Sequence, residues 1–302
     1  MSSPVLIAHH LSKTIGEKTI VSDVSFEIEP GEVFGFLGPN GAGKTTTIRM
    51  LVGLIRPSTG NVTICGHDVE REFEAALRNV GCIVETPDLY RFMSGRENLE
   101  HFARMRRGVG EADIARVAEL AMLSHRLEDK VRTYSLGMRQ RLGIAVALLS
   151  RPKLLILDEP ANGLDPAGIR EMRNLLRRLS TDDGLAVFVS SHLLAEVELM
   201  CDRVAIIHRG TILETSPVQG LHAHAPEMEF RVDDAARAIA LVESMGFPVA
   251  VNDGTLSIEI AEEQAPDVVL RLATEGVRIF HAQRRIRTLE ERFIEATGGE
   301  TV

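Results

Sequence analysis

The residues Gly38-Pro39-Asn40-Gly41-Ala42-Gly43-Lys44-Thr45-Thr46 carry the most specific chemistry in the chain. Their spacing fits G-x-x-x-x-G-K-[ST], a loop whose backbone N–H groups close around phosphate. Glycines let successive N–H groups turn inward without Cβ clashes, and the start of the next helix adds about half a positive charge. In that pattern Lys44 reaches the β- and γ-phosphates and the Thr45 hydroxyl ligates Mg2+. A second constellation follows the apolar run Leu154-Leu155-Ile156-Leu157, where Asp158 and Glu159 stand side by side. Triphosphate hydrolysis needs a carboxylate on the Mg2+ side and an oriented water. Asp158 is placed for the first task and Glu159, pointing differently, for polarising the water. His192 ends a third apolar stretch, Ala186-Val187-Phe188-Val189-Ser190-Ser191. Two roles are open to it: a hydrogen bond to the γ-phosphate, or holding Glu159 and its water. The combination predicts a nucleoside-triphosphate site.

Elements that place these groups can be read from the apolar pattern. Glu32-Val33-Phe34-Gly35-Phe36-Leu37 reads as a buried strand entering the loop, and Thr45–Val52 as a helix that Gly53 stops. Val21–Ile28 alternates with period two, and Asn61–Gly66 and Val80–Val84 give two more strands. Past Pro87 the pattern turns helical, beginning with the capping box Ser94-Gly95-Arg96-Glu97. Ile114, Val117, Ala118 and Ala121 keep helical spacing, and a further helix starts at Ser135. Residues from about 87 to 150 therefore read as a helical insert. Val204–Ile207 and Thr211–Leu213 flank a hairpin at Gly210. Short, wholly apolar strands separated by helices predict an α/β fold whose sheet is covered on both faces, with polar groups at the strand ends as ligand sites.

After Pro217 the character changes. Residues 221–225 read as a linker, and the rest suggests a βαββαβ order. Its elements are strands at 228–232, 249–251, 255–260 and 277–282, helices over 234–245 and 262–275, a turn at Asn252-Asp253-Gly254 and a last helix from Thr288 to Thr297. The order suggests a small ferredoxin-like α+β domain. The division expected is 1–220 for the nucleotide-binding domain and 221–302 for an accessory domain.

Bulk properties exclude several functions. Lys and Arg total 34 against 43 Asp and Glu, a net charge of −9, which argues against non-specific attraction to nucleic acid or anionic lipid. No apolar run approaches the roughly 18 residues of a membrane span, and the start lacks the basic and apolar regions of a signal peptide. Three cysteines, far apart, fit neither a disulfide framework nor a zinc spacing and suggest a reducing compartment.

The ordered motifs resemble the ATP-binding cassette (ABC) ATPases over about residues 4–217. Gly38–Thr46 matches Walker A, Leu154-Leu155-Ile156-Leu157-Asp158-Glu159-Pro160 Walker B, and Asn162-Gly163-Leu164-Asp165-Pro166 the D-loop. Tyr134-Ser135-Leu136-Gly137-Met138 occupies the place of the LSGGQ signature, and His192 that of the histidine after the last strand. The resemblance implies a P-loop NTPase with mixed sheet and helical insert, ATP and Mg2+ as cofactors, and two cassettes packed head to tail. Ser135 and Gly137 would then face the γ-phosphate of the partner's ATP, and Asp165 would couple the two sites.

Departures from that family pattern are local. Leu136 and Met138 replace two signature residues, Ile15 stands where an aromatic residue stacks on adenine, and Glu85 replaces the Q-loop glutamine, where a carboxylate could ligate Mg2+. Glu85 resembles the subgroup serving bacitracin and lantibiotic efflux or immunity, and the ending Leu289-Glu290-Glu291-Arg292-Phe293-Ile294 resembles drug and antibiotic exporters. The resemblance thus implies the ATPase subunit of an exporter, dimerising with itself or a related cassette. It would be cytoplasmic and peripheral on the inner face of the membrane through a separately encoded permease, without nucleic acid. A soluble ABC ATPase acting on ribosomes or DNA is the alternative.

Overall fold

A computed structural model describes residues 3–218, 227–252, 255–260 and 262–285. They fall into two compact units that part after Val218. The chain opens with β1 (Leu6–Ile15) and β2 (Lys18–Ile28), an antiparallel pair turned at Gly16. β3 (Val33–Leu37) is buried at all five positions, as a strand covered on both faces must be. α1 (Lys44–Leu51) stops before Gly53, whose φ of 68° supplies the left-handed residue common after a helix. β4 (Thr59–Ile64) and β5 (His67–Asp68) complete a four-stranded antiparallel sheet, β2-β1-β4-β5. α2 (Phe73–Leu77) then leads into β6 (Val80–Ile83).

Three helices follow. α3 (Gly95–Arg104) begins at a complete capping box: Ser94 Oγ accepts from the Glu97 N–H at 3.1 Å, and Glu97 Oε2 accepts from the Ser94 N–H at 2.6 Å. α4 (Glu111–Leu120) buries Ile114, Val117 and Ala118. α5 (Leu136–Leu148) is capped by Ser135 and packs on both.

The chain then returns to the sheet through β7 (Leu154–Asp158), α6 (Pro166–Thr181), β8 (Ala186–Ser191), α7 (Leu194–Met200), β9 (Arg203–His208) and β10 (Thr211–Pro217). The sixteen-residue helix α6 is not among the elements expected from the sequence. Its signal is present, with Asp165-Pro166 at the start and Met172, Leu175, Leu176 and Leu179 buried at helical spacing. The strands form a six-stranded sheet, β10-β9-β3-β8-β7-β6, parallel except for the β9–β10 hairpin. Arg209 and Gly210 both have positive φ (47° and 84°), the signature of a two-residue type I′ turn.

β8 lies between β3 and β7, with Leu37 beside Ser191 and Asp158 beside Ser190. The three strands therefore end level. An aromatic cluster joins the two sheets. Phe26 of β2 stacks on Phe34 of β3 with centroids 5.2 Å apart, and Phe188 of β8 lies 5.4 to 6.2 Å from Phe26, Phe34 and Phe36. On the other face α7 comes close enough that a Cβ on Gly35 would sit 2.8 Å from Val197 Cγ1.

The second unit has its own core around Phe230, Val242, Leu256, Ile258, Val268 and Leu272. β11 (Glu227–Val232), α8 (Ala235–Ser244), β12 (Val249–Asn252), β13 (Thr255–Glu259), α9 (Ala265–Thr274) and β14 (Ile279–Arg285) follow one another. The sheet runs β12-β13-β11-β14, all antiparallel. This is the split-βαβ arrangement. α9 starts later than the sequence suggests, after a 3-10 turn at Glu262–Gln264, with Pro266 in its first turn where a missing N–H costs nothing. The linker read at 221–225, the helix read at 288–297, and Asp253 and Gly254 of the turn lie outside the described residues.

Phe188 is fully buried, and its truncation leaves a void between two sheets. Phe188→Ala should lower stability by about 3–5 kcal/mol. Urea denaturation with the native far-UV CD retained checks this; a loss under about 1 kcal/mol would show that the cluster does not hold the sheets.

Candidate active site

The loop between β3 and α1 is shaped by its glycines. Gly41 and Gly43 have φ of 81° and 107°, and a Cβ on Gly38 would lie 2.3 Å from the Ile207 carbonyl. The Gly38 N–H donates to the Ser191 carbonyl at 3.2 Å, and the Gly210 N–H donates to the Ala42 carbonyl at 2.9 Å. So the loop is tied to the end of β8 and to the β9–β10 hairpin. α1 has no side-chain cap, which leaves its first N–H groups for an anion. Glycine cradle and uncapped helix start together fit a phosphate. Pro39, Asn40, Ala42 and Thr46 complete the stretch.

Lys44 is 5% exposed and donates to the Gly38 and Pro39 carbonyls at 2.7 and 3.2 Å. Its Nζ also lies 3.3 Å from Glu159 Oε1. Thr45 Oγ1 donates to Asp158 Oδ2 at 3.0 Å, and Ser190 Oγ donates to Asp158 Oδ1 at 2.6 Å. A threonine hydroxyl beside a carboxylate is a hard-oxygen donor pair of the kind Mg2+ takes together with phosphate and water oxygens. Among the described residues no group of three or more His, Cys, Asp or Glu could hold a metal unaided.

Glu159 has a φ of 49°, a left-handed backbone that costs a non-glycine residue about 1–2 kcal/mol. The Glu159 N–H, bonded to Ser190 Oγ at 2.9 Å, helps to hold it there. The turn places its carboxylate between Lys44 and His192, whose Nδ1 is 2.9 Å from Glu159 Oε2. An ionised Glu159 can only accept, so Nδ1 carries the proton. Of the two roles read for His192, the geometry displays the contact with Glu159.

Other residues named from the sequence lie elsewhere. Ser135 caps α5, accepting from the Met138 N–H at 3.2 Å, and Asp165 caps α6, accepting from the Gly168 N–H at 2.8 Å. A Cβ on Gly137 would meet Leu164 at 3.7 Å, and one on Gly163 would meet Leu136 at 3.2 Å, so the signature residues pack on the D-loop of the same chain. Neither Ser135 nor Asp165 is bonded to the Lys44–Glu159–His192 cluster among the described residues. Ile15, 58% exposed, ends β1. Glu85 has a φ of 67° and pairs with Arg49 of α1 at 2.6 Å rather than with Thr45 or Asp158.

Sequence reasoning missed Ser190, Ser191 and Glu196. Ser191 Oγ donates to Glu196 Oε2 at 2.9 Å and accepts from the Leu193 N–H, which pins the backbone on both sides of His192. Burial holds the Glu196 carboxyl above its ordinary range, against the lowering by Ser191 and His192. The signal was a pair of serines closing a buried strand just before the histidine.

Comparison with known proteins agrees with this geometry. The sequence profile described as ABC transporter matches residues 21–162. An uncharacterized ABC transporter ATP-binding protein of Bacillus subtilis (strain 168), YhcH, is 48% identical over 97% of this chain and 96% of its own length. The bacitracin transport ATP-binding protein BcrA of Bacillus licheniformis is 38% identical over 99% of both chains. A solved structure described as the ATP binding subunit of an ABC transporter superposes with a TM-score of 0.64 at 32% identity, covering 72% of this chain and 92% of that one. With phosphate loop, paired carboxylates and histidine assembled at the C-terminal ends of three neighbouring strands, this chain belongs to the ATP-binding proteins of ABC transporters and is an ATPase subunit of that family.

Proposed function

We propose that the chain powers the export of an antibiotic, drug or peptide through a separate membrane permease, working as a dimer at the cytoplasmic face. The observation that carries the exporter reading is similarity along the whole length, second unit included, to a protein named for bacitracin transport. The rest follows from the site.

Thr45 and Asp158 would hold Mg2+, which supplies charge neutralisation on the phosphate oxygens. Lys44 exchanges the Gly38 and Pro39 carbonyls for the β- and γ-phosphates. Glu159 orients a water whose oxygen bonds to the γ-phosphorus while the bond to the ADP oxygen breaks; the water's proton passes to the Glu159 carboxylate. His192 keeps that carboxylate aimed. Ser135 and Gly137, at the start of α5, serve the γ-phosphate bound by a second copy, and Asp165 lies in the loop joining the two sites. Ile15 packs on the base. Glu85, released from Arg49, reaches the Mg2+ side. ATP favours the closed pair because only there are both sets of contacts made, and hydrolysis removes that difference.

A cleft of about 290 Å³ lies between the end of β6 and helices α3 and α5, lined by Ile83, Pro87, Leu89, Phe102 and Val146 among others. Exposed Phe92 and Met105 belong to the same region of the insert. A cleft of mixed lining with exposed apolar side chains beside it suits a docking face, and we assign it to the permease.

Glu159→Gln keeps the shape of the side chain and removes the proton acceptor. ATP hydrolysis should fall by about 10²–10⁴ while ATP-dependent dimers persist on size exclusion; unchanged turnover would take Glu159 out of the reaction. Ser190→Ala removes the hydroxyl shared by Asp158 and Glu159, and kcat/KM should fall about tenfold, equivalent to about 1.4 kcal/mol. Steady-state kinetics at saturating Mg2+ measures it. Tagged protein drawn from native membranes with ATP should bring a polytopic membrane protein; ribosomal or DNA-bound partners in its place would overturn the transport reading.

A further inference from the structure

Beyond the cleft lies a larger hollow that the hydrolytic reaction does not use. It measures about 720 Å³ and is lined by Arg78, Arg106, Arg107 and Arg151, against which stands one carboxylate, Asp113. Its floor is apolar, made by Leu77, Val80 and Leu149 among others. Arg106 lines both this hollow and the cleft between β6 and the insert, so the two adjoin.

The four arginines are not equally engaged. Arg106 Nη1 donates to the Val146 carbonyl at 2.6 Å, and Arg151 pairs with Asp113 at 2.9 Å. Arg78 and Arg107 have guanidinium groups with no ion pair or hydrogen bond among the described residues. Two free guanidinium groups over an apolar floor form a site for an oxyanion carried on an apolar stem. Guanidinium forks match carboxylates in a bidentate manner.

We infer that this hollow receives an acidic side chain, Asp or Glu, on the cytoplasmic segment of the permease that occupies the adjoining cleft. The inference rests on the permease reading above. Charge and continuity favour this occupant. The whole chain carries a net charge of −9, whereas this hollow sets four arginines against one carboxylate, so an acidic segment is attracted here and not by the chain's overall charge. A segment lying in the cleft runs past Arg106 into the hollow, where one carboxylate would meet Arg78 and Arg107. A free phosphate fills only a small part of the volume and leaves the apolar floor wet. The contact fixes the orientation of the segment and discriminates against permeases without the acid.

The test converts the arginines to lysines, which a water-soluble carbodiimide joins to a carboxylate in direct contact. Arg78→Lys and Arg107→Lys proteins are treated in native membranes, and cross-linked peptides are mapped by mass spectrometry. Lys introduced at either position should link to an Asp or Glu of the co-purifying polytopic protein, with no such link in wild type. In parallel, the Arg78→Gln/Arg107→Gln protein should retain at least tenfold less of that partner in 0.3 M salt, with unchanged basal ATPase activity. If wild type draws down no polytopic protein, the permease reading fails and this inference with it. If the partner is retained equally by wild type and the glutamine variant, and neither lysine cross-links, this inference alone is overturned. It is also overturned if the glutamine variant keeps the partner and loses only sedimentation with phosphatidylglycerol-containing vesicles, since the hollow would then read a lipid phosphate.

Discussion

Three parallel strands that end level set the distances at the site. β3 delivers the phosphate loop, β7 delivers Asp158 and Glu159, and β8 runs between them with Ser191 beside Leu37 and Ser190 beside Asp158. The two serines are how the middle strand speaks to its neighbours. Ser190 holds Asp158 and the Glu159 backbone, while the Ser191 carbonyl accepts from Gly38 at the mouth of the loop. A slip of one residue in this register would turn every side chain to the opposite face. The Phe26, Phe34, Phe36 and Phe188 cluster resists such a slip, because four rings from three strands interlock only at one alignment. Core packing and catalytic geometry are therefore one constraint, since Phe188 and Ser190 are alternate residues on one strand and share a face.

Electrostatics at the site run on substitution. Lys44 is buried, and a buried ammonium must have partners. Here the Gly38 and Pro39 carbonyls and the Glu159 carboxylate serve. Those are oxygen ligands of the type that a triphosphate offers, so the loop is held open in a shape already suited to it. Glu159 sits at a positive φ between a cation and an imidazole, and the strain is borne by the Ser190 hydroxyl and the surrounding sheet. Strain of this sort persists where neighbours over-determine the conformation.

The phosphate loop was legible because its chemistry is written in backbone requirements. Gly38 has no room for a Cβ, and Gly41 and Gly43 need left-handed angles, so residue type and function cannot separate. The capping box at Ser94 and the cap at Ser135 were equally local. The contacts of Ser190 were not legible, because they depend on β7 lying beside β8, and order across a sheet leaves no mark in spacing along the chain. The Ser191–Glu196 contact joins residues only five apart and left its signal in the serine pair before His192. Helix α6 went unassigned for a different reason. The Asp165-Pro166 motif carries a chemical signature of its own, while the apolar repeat Met172, Leu175, Leu176, Leu179 beyond it carries only a helical one.

Glu85 shows how a sequence departure can be absorbed by its surroundings. A carboxylate at that position adds a negative charge near a site built to collect phosphates. Arg49 answers it from the last turn of α1, the helix that starts at Lys44. A cation at that end of the helix is also favourable for the helix dipole, so Arg49 is stabilised by two acceptors at once. The pair is largely exposed, and an exposed ion pair contributes only about 0–1 kcal/mol. That small figure is what lets the pairing be exchanged. An acid bound tightly to Arg49 would be fixed, whereas this pair, at a turn where Glu85 has a φ of 67°, is a weak one. The charge is thus neutralised at rest by a weak pair, in the turn that joins β6 to the segment opening the helical insert.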